Sequence, residues 1–172
     1  ALRHVKCKEI LVMSGNDIVE KDAVLRVMEE GRKATVDGVL LAKRVDSYFP
    51  GGYIVTKESR ITKIIEKPGQ GKEPSDIVNI VLHLHKDSQA LLNALRKIES
   101  NDDGYEKAIT SLLSTHNYQA ATYNGSWFPV KYPWHLLDLL PQFLAKKTKN
   151  IHKTSVIHPT AVIDGPVVIS EG

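Results

Sequence analysis

Residues 9–42 read EILVMSGNDIVEKDAVLRVMEEGRKATVDGVLLA, and the order of apolar runs and breakers in this stretch decides the fold class. Residues 9–13 are a short apolar run that stops at Ser14-Gly15-Asn16-Asp17. Over residues 23–28 the apolar positions recur at helical spacing, with Asp22 in the cap region and Gly31 as the terminator. Residues 36–42 follow, and their length and apolar, β-branched content suit a strand in the interior of a sheet. Strand, helix, strand in that order predicts a βαβ unit whose two strands pair in parallel.

Residues 53–55 and 61–65 flank the polar Thr56-Lys57-Glu58-Ser59-Arg60, as two strands joined by a hairpin loop do. Residues 68–74 are rich in Gly and Pro and form a loop. A strand over residues 78–85 comes next. A helix over residues 88–98 then puts Leu91, Leu92, Leu95 and Ile98 on one face, with Ser88 as its cap. Residues 105–113 read as helix, 119–123 as strand and 133–144 as helix with Pro133 in its first turn. The class is α/β with a mixed sheet.

At the end of the chain Ile151, Ile157, Ile163 and Ile169 recur every six residues, with the small or apolar Ser155, Ala161 and Val167 four places after the first three. A six-residue period is one side of a triangular coil, the isoleucine pointing inward and a small residue easing the corner. Two alternating strands and a turn are the plainer reading of the same residues. Coils bury their apolar faces only against neighbours, and about three repeats are needed for stability. The pattern stops at Glu171-Gly172 without a polar cap, so the chain is expected to be a fragment. The isoleucines are expected to pack on the helix carrying Leu136, Leu137 and Leu140, each burial contributing roughly 1.5 to 3 kcal/mol.

Composition narrows the function classes. The 172 residues are 42% hydrophobic and 25% charged, with a formal charge of +3, as in an ordinary globular chain of one main domain with a small appendage. Lys146, Lys147, Lys149 and Lys153 cluster without interleaved aromatic residues, which suits a solvated linker and not a nucleic-acid surface. The single Cys7 excludes an internal disulfide, and no apolar run approaches the roughly 20 residues that span a bilayer. A cytoplasmic protein with no membrane role is expected. His83 and His85 alternate on a strand and face one side of it. With His116, His135, His152 and His158 they show no metal-ligand spacing.

Ile64-Ile65-Glu66-Lys67-Pro68, preceded by Gly52-Tyr53 and followed by Asn79, resembles the sugar-binding segment of the NDP-sugar pyrophosphorylases, the sugar-1-phosphate nucleotidyltransferases. Leu11 to Asp17 is similar to that family's strand ending in Gly-Asp. The segment from Trp127 to Trp134 is similar to its Trp-x-Asp-x-Gly-x-Pro-Trp motif. The resemblance covers nearly the whole chain. It implies the second half of a Rossmann-like mixed-sheet nucleotidyltransferase domain over residues 1–146, and the first hexapeptide coils of a left-handed parallel β-helix over residues 151–172.

The reaction so implied transfers a nucleotidyl group from a nucleoside triphosphate to a hexose 1-phosphate and releases pyrophosphate. Two polyanions approach one another only where cations neutralise them and hydrogen bonds fix the in-line geometry. Lys67 supplies charge for the sugar phosphate, Glu66 accepts from sugar hydroxyls, and Gly52 lets the backbone approach closely. Tyr53, Asn79 and Trp127 complete the substrate-binding set. The family's Gly-rich nucleotide loop belongs before residue 1, so this chain alone is not expected to turn over.

Three departures alter the site. The family's first metal-holding aspartate falls on Asn16, leaving Asp17 one place later as the candidate ligand for Mg2+. The second falls on Pro129, which cannot bind a metal. Lys131, two places on, is then a candidate catalytic cation in place of part of the metal's charge. Ile80-Val81 replaces the family's Ala-Gly after Asn79, which narrows the pocket. A non-catalytic regulatory or scaffold relative is the alternative that Asn16 and Pro129 suggest, and a β-helix acyltransferase is the second. An uncapped coil favours assembly into a homo-oligomer.

Overall fold

The computed structural model describes residues 6–99 and 103–172, so residues 1–5 and 100–102 of the expected 1–146 domain lie outside the described residues. The chain divides into two compact units, Ala1–Trp127 and Phe128–Gly172.

The first unit begins with β1 (Ile10–Met13), β2 (Asp17–Val19), α1 (Lys21–Gly31) and β3 (Gly38–Arg44). The hairpin β4 (Gly52–Lys57) and β5 (Arg60–Glu66) follows, then the nine-residue β6 (Ile77–His85). Helices α2 (Ser88–Lys97) and α3 (Gly104–Leu112) and strand β7 (Tyr118–Thr122) complete it, and the short β8 (Trp127–Pro129) spans the division between the units. The sheet order is β1-β6-β3-β7-β5-β4, and β4 returns to β6 through Tyr53 opposite Val78, so the pairings close on themselves.

Strand β3 is central because its residues are apolar on both faces. Val39 and Leu41 join Ala23 and Val27 of α1 and Ile80, Leu82 and Leu84 of β6 on one side. Leu40 and Ala42 join Ile54, Ile61, Leu91 of α2 and Ala108 and Ile109 of α3 on the other. The result is helix, sheet, helix, each buried leucine or isoleucine contributing about 1.5 to 3 kcal/mol.

The expected direct pairing of the first two long strands is corrected. β1 and β3 are each antiparallel to β6, which lies between them, so they run the same way without touching. β6 is buried along most of its length, and its two edges carry a full set of donors and acceptors that only two flanking strands can satisfy. Among the described residues the parallel pair of this sheet is β3 with β7. The cap of α2 is also corrected by one residue: Asp87 accepts from Ala90 N at 2.9 Å, while the Ser88 hydroxyl donates to Cys7 O at 2.6 Å.

In the second unit, α4 (His135–Ala145) precedes β9 (Asn150–Ile151) and β10 (Val168–Ile169). β9 and β10 pair in parallel with Ile151 opposite Ile169, an offset of eighteen residues, which is three of the six-residue repeats. Its corners repeat as well. Ser155 N donates to His152 O at 3.0 Å and Ala161 N to His158 O at 2.9 Å. His152 Nδ1 and His158 Nδ1 lie 2.8 and 2.7 Å from the hydroxyls of Thr154 and Thr160. Ile151, Ile163 and Ile169 are half-buried. The expected packing of this segment on the helical leucines is corrected: Leu136, Leu137 and Leu140 are 56%, 73% and 55% exposed. Ile157, at 37% exposure, is open as well, so the six-residue phase does not bury every isoleucine.

Gly38 lies beneath the Tyr118 ring, and a Cβ there would come within 2.2 Å of Tyr118 Cε1. Gly38→Ala is therefore expected to lower stability by about 1 to 3 kcal/mol, the ordinary cost of overpacking a core. The measurement is a shift of the urea midpoint without a change of slope.

Candidate functional site

Strand register builds the site. Gly52 opens β4 opposite Glu66, the last residue of β5. Because Tyr53 is opposite Val78, Gly52 comes beside Asn79 on β6, and Asn79 in turn faces Ala42 on β3. A Cβ on Gly52 would stand 2.9 Å from Glu66 Oε2 and 3.5 Å from the Asn79 Cβ. The bare glycine thus leaves space beside the Glu66 carboxylate and the Asn79 side chain.

Lys67 follows directly. Its φ of 44° lies in the left-handed region, where a side chain ordinarily costs about 1 to 2 kcal/mol, and its N–H is anchored to Gly51 O at 3.1 Å. Pro68 cannot extend the ladder, so the chain leaves the sheet there with Lys67 Nζ 3.7 Å from Glu66 Oε1. A groove of about 490 Å3 between β5 and α3 is lined by Glu66, Glu106 and Lys107 among others. Burial, with repulsion from Glu66 and Asp103 against attraction from Lys67, holds the Glu106 carboxyl above its ordinary range.

The other expected site residues have surroundings of their own. Tyr53 alternates to the opposite face of β4 from Gly52, is buried, and accepts from Phe49 N at 2.8 Å. It lines a separate depression of about 290 Å3 with Tyr48 and Ser75. Trp127 packs on Phe49 with ring centroids 4.8 Å apart, and its indole N–H donates to Asp17 Oδ1 at 2.9 Å. Phe49 in turn lies against Gly51, so the Trp127–Asp17 pair reaches the Gly52 turn through one intervening ring. Lys131 belongs to the second unit.

No protein-family model matches the chain. Over 90 residues, 52% of this chain and 22% of the relative, it is 26% identical to the bifunctional sugar-1-phosphate nucleotidylyltransferase/acetyltransferase of Sulfurisphaera tokodaii. Among solved structures it superposes on the UTP-bound UGPase of Acinetobacter baumannii with a TM-score of 0.69 and 14% identity, covering 92% of this chain and 55% of that one. A glucose-1-phosphate thymidylyltransferase of Bacillus anthracis, solved with sucrose, gives 0.66 and 17% over 82% of this chain and 56% of that one. The chain has the sugar-1-phosphate nucleotidyltransferase fold. It spans about half the length of the solved nucleotidyltransferases that it matches.

Within that fold, sequence reading missed Phe49, Tyr105 and Glu106 and did not connect the histidines to Asn79. One signal was present: Asn79, His83 and His85 share the odd-numbered face of β6. His83 Nε2 is 2.9 Å from Asn79 Oδ1, His83 Nδ1 and His85 Nε2 are each 2.9 Å from the Tyr105 hydroxyl, and His85 Nδ1 is 2.8 Å from the Tyr118 hydroxyl. Burial holds both imidazoles below the ordinary range, His83 well below with the His85 charge adding, and His85 at about 4. Burial likewise pushes the Tyr105 and Tyr118 hydroxyls up.

The histidine shifts set a pH dependence of stability. Between pH 6.5 and about 4 the unfolded chain binds protons that the folded His85 refuses, so stability is lost as pH falls through that window. The slope reaches about 1.4 kcal/mol per pH unit for each such histidine. Glu106 acts oppositely, since its raised carboxyl favours the folded state toward acid. Urea midpoints are expected to fall from pH 6.5 to 4.5 in the wild type, and to fall more steeply in Glu106→Gln.

Proposed function

We propose that this chain is the sugar-phosphate half of a nucleotidyltransferase that joins a nucleoside triphosphate to a hexose 1-phosphate and releases pyrophosphate. The observation that carries the reading is the Gly52–Glu66–Asn79 row, where the Glu66 carboxylate and the Asn79 side chain border a backbone without a side chain and the Lys67 ammonium stands 3.7 Å from that carboxylate. Glu66 accepts from sugar hydroxyls, Lys67 neutralises the phosphate, and Asn79 adds a hydrogen-bonding group. The Acinetobacter baumannii relative binds UTP, which supports a nucleotide as the second substrate.

Asp17 is the proposed carboxylate for Mg2+. Among the described residues no group of three His, Cys, Asp or Glu side chains stands together to hold a metal. A magnesium ion is ordinarily held by one or two carboxylates with phosphates and water, so Asp17 with one oxygen committed to Trp127 fits a substrate-completed site. When bound, the ion would neutralise phosphate charge. Lys131 supplies further charge toward the sugar phosphate where the family's second carboxylate is replaced by Pro129. Asn16 and Pro129 at the positions of the family's two carboxylates support the second reading, a non-catalytic relative that retains the sugar site.

The second unit we read as the first coil of a left-handed parallel β-helix, supported by the eighteen-residue parallel pairing. Among the described residues no helix is long and apolar enough to cross a membrane. A cytoplasmic, homo-oligomeric enzyme is the proposed whole.

Lys67→Gly separates function from stability. It removes the charge and relieves the left-handed backbone, so the thermal midpoint is expected not to fall while affinity for glucose 1-phosphate drops at least tenfold, read by calorimetric titration. In the complete enzyme, Lys131→Ala is expected to raise the KM for sugar phosphate and lower kcat, and Asp17→Ala to weaken the magnesium dependence. Wild-type kinetics in both variants would sink the altered-site mechanism. A wild type without pyrophosphorolysis of any common nucleotide sugar would favour the non-catalytic relative.

A further inference from the structure

Two imidazoles buried to 0% exposure are unusual cargo for a strand whose other face is packed with leucine and isoleucine. They are joined with Tyr105, Tyr118 and Asn79 into one hydrogen-bonded chain, Tyr118 hydroxyl, His85, Tyr105 hydroxyl, His83, Asn79, with the Ile80 backbone a further partner of the His83 ring. In a straight strand Cα atoms four residues apart would stand about 13 Å from one another, too far for His83 and Asn79 to bond. The register of β3 against β6 jumps from Leu40 opposite His83 to Leu41 opposite Ile80, and this bulge brings the two side chains within reach.

The chain can carry its protons in either of two directions. With both histidines neutral, each ring has one donor and one acceptor, so fixing one bond fixes all of them. If the protons run toward Tyr118, that hydroxyl must give its hydrogen to a further acceptor, and it has none among the described residues. If they run toward Asn79, every hydrogen is used: Tyr118 donates to His85 Nδ1, His85 Nε2 to Tyr105, Tyr105 to His83 Nδ1, and His83 Nε2 to Asn79 Oδ1. An unsatisfied buried donor costs about 1 to 3 kcal/mol, which decides the direction.

We propose that this directed chain is a positioning device for the sugar site, holding the Asn79 amide with its oxygen inward and its nitrogen presented beside Gly52 and Glu66 as a donor to a sugar oxygen. The role rests on the sugar-phosphate reading above. Asn79 is 8% exposed, its Cβ lies against the bare Gly52, and its Nδ2 has no protein acceptor among the described residues. Glu66 beside it can only accept. The pair therefore offers a ligand one donor and one acceptor, as adjacent hydroxyls of a hexose require, and a reversed amide would leave two acceptors side by side.

Long-range nitrogen–proton NMR on the chain labelled at histidine reads the direction, with the Nε2–H tautomer expected at both His83 and His85. Tyr118→Phe keeps the ring over Gly38 but removes the first donor, and is expected to shift the tautomers toward Nδ1–H. Titration with glucose 1-phosphate should then weaken about fivefold, the worth of one neutral hydrogen bond. In an Asn79→Ala background the same substitution should have no further effect on affinity, which a merely structural role would not produce. Nδ1–H tautomers in the wild type, or wild-type affinity in a folded Tyr118→Phe chain, overturn the positioning role alone. A wild type that binds no hexose 1-phosphate overturns the sugar-site reading and the positioning role with it.

Discussion

Strand β6 cannot be left unpaired on either edge, and the rest of the first unit follows from meeting that demand. Its residues are buried over most of its length, so each backbone donor and acceptor must find a protein partner. β1 and β3 take its two edges, and β4 takes the remaining stretch near Val78. A strand bonded to three others has to bend between them, and the bulge opposite Leu40 and Leu41 is where it does. That bend sets Asn79 beside Gly52 and brings His83 back toward Asn79, so the local geometry of the candidate site derives from backbone satisfaction in the core.

The local features were legible because they are written in short-range chemistry. The hairpin of β4 and β5 follows from two apolar runs about a polar loop, and the end of β5 from Pro68 after Lys67. The separation of β1 from β3 was not legible, because the strand between them comes more than thirty residues after β3. Periodicity reports which face a residue takes and is silent on which strand lies next to it. Tyr53 illustrates the same boundary: it adjoins Gly52 in sequence, and the two-residue period of a strand sends it to the other face.

At the end of the chain, paired strands are offset by eighteen residues, a multiple of the six-residue isoleucine period. The repeated His-x-Thr corners add a second record of the same period. The exposed leucines of α4 were misread because helical amphipathicity states that a face is apolar without stating what covers it.

On the proposed reading, the Gly52 turn selects its ligand through groups that cannot exchange roles. A carboxylate such as Glu66 only accepts, an ammonium such as Lys67 only donates, and an amide does either unless something fixes it. A phosphorylated polyol presents hydroxyls, which do both, and a phosphate, which only accepts. A site that left Asn79 free to turn would accommodate several ligand orientations at similar cost. Buried partners turn an adaptable group into a committed one, and the left-handed backbone at Lys67 does the same for the cation by limiting where the lysine can start. Both devices act through rigidity, and both place it where the strands meet around a missing side chain.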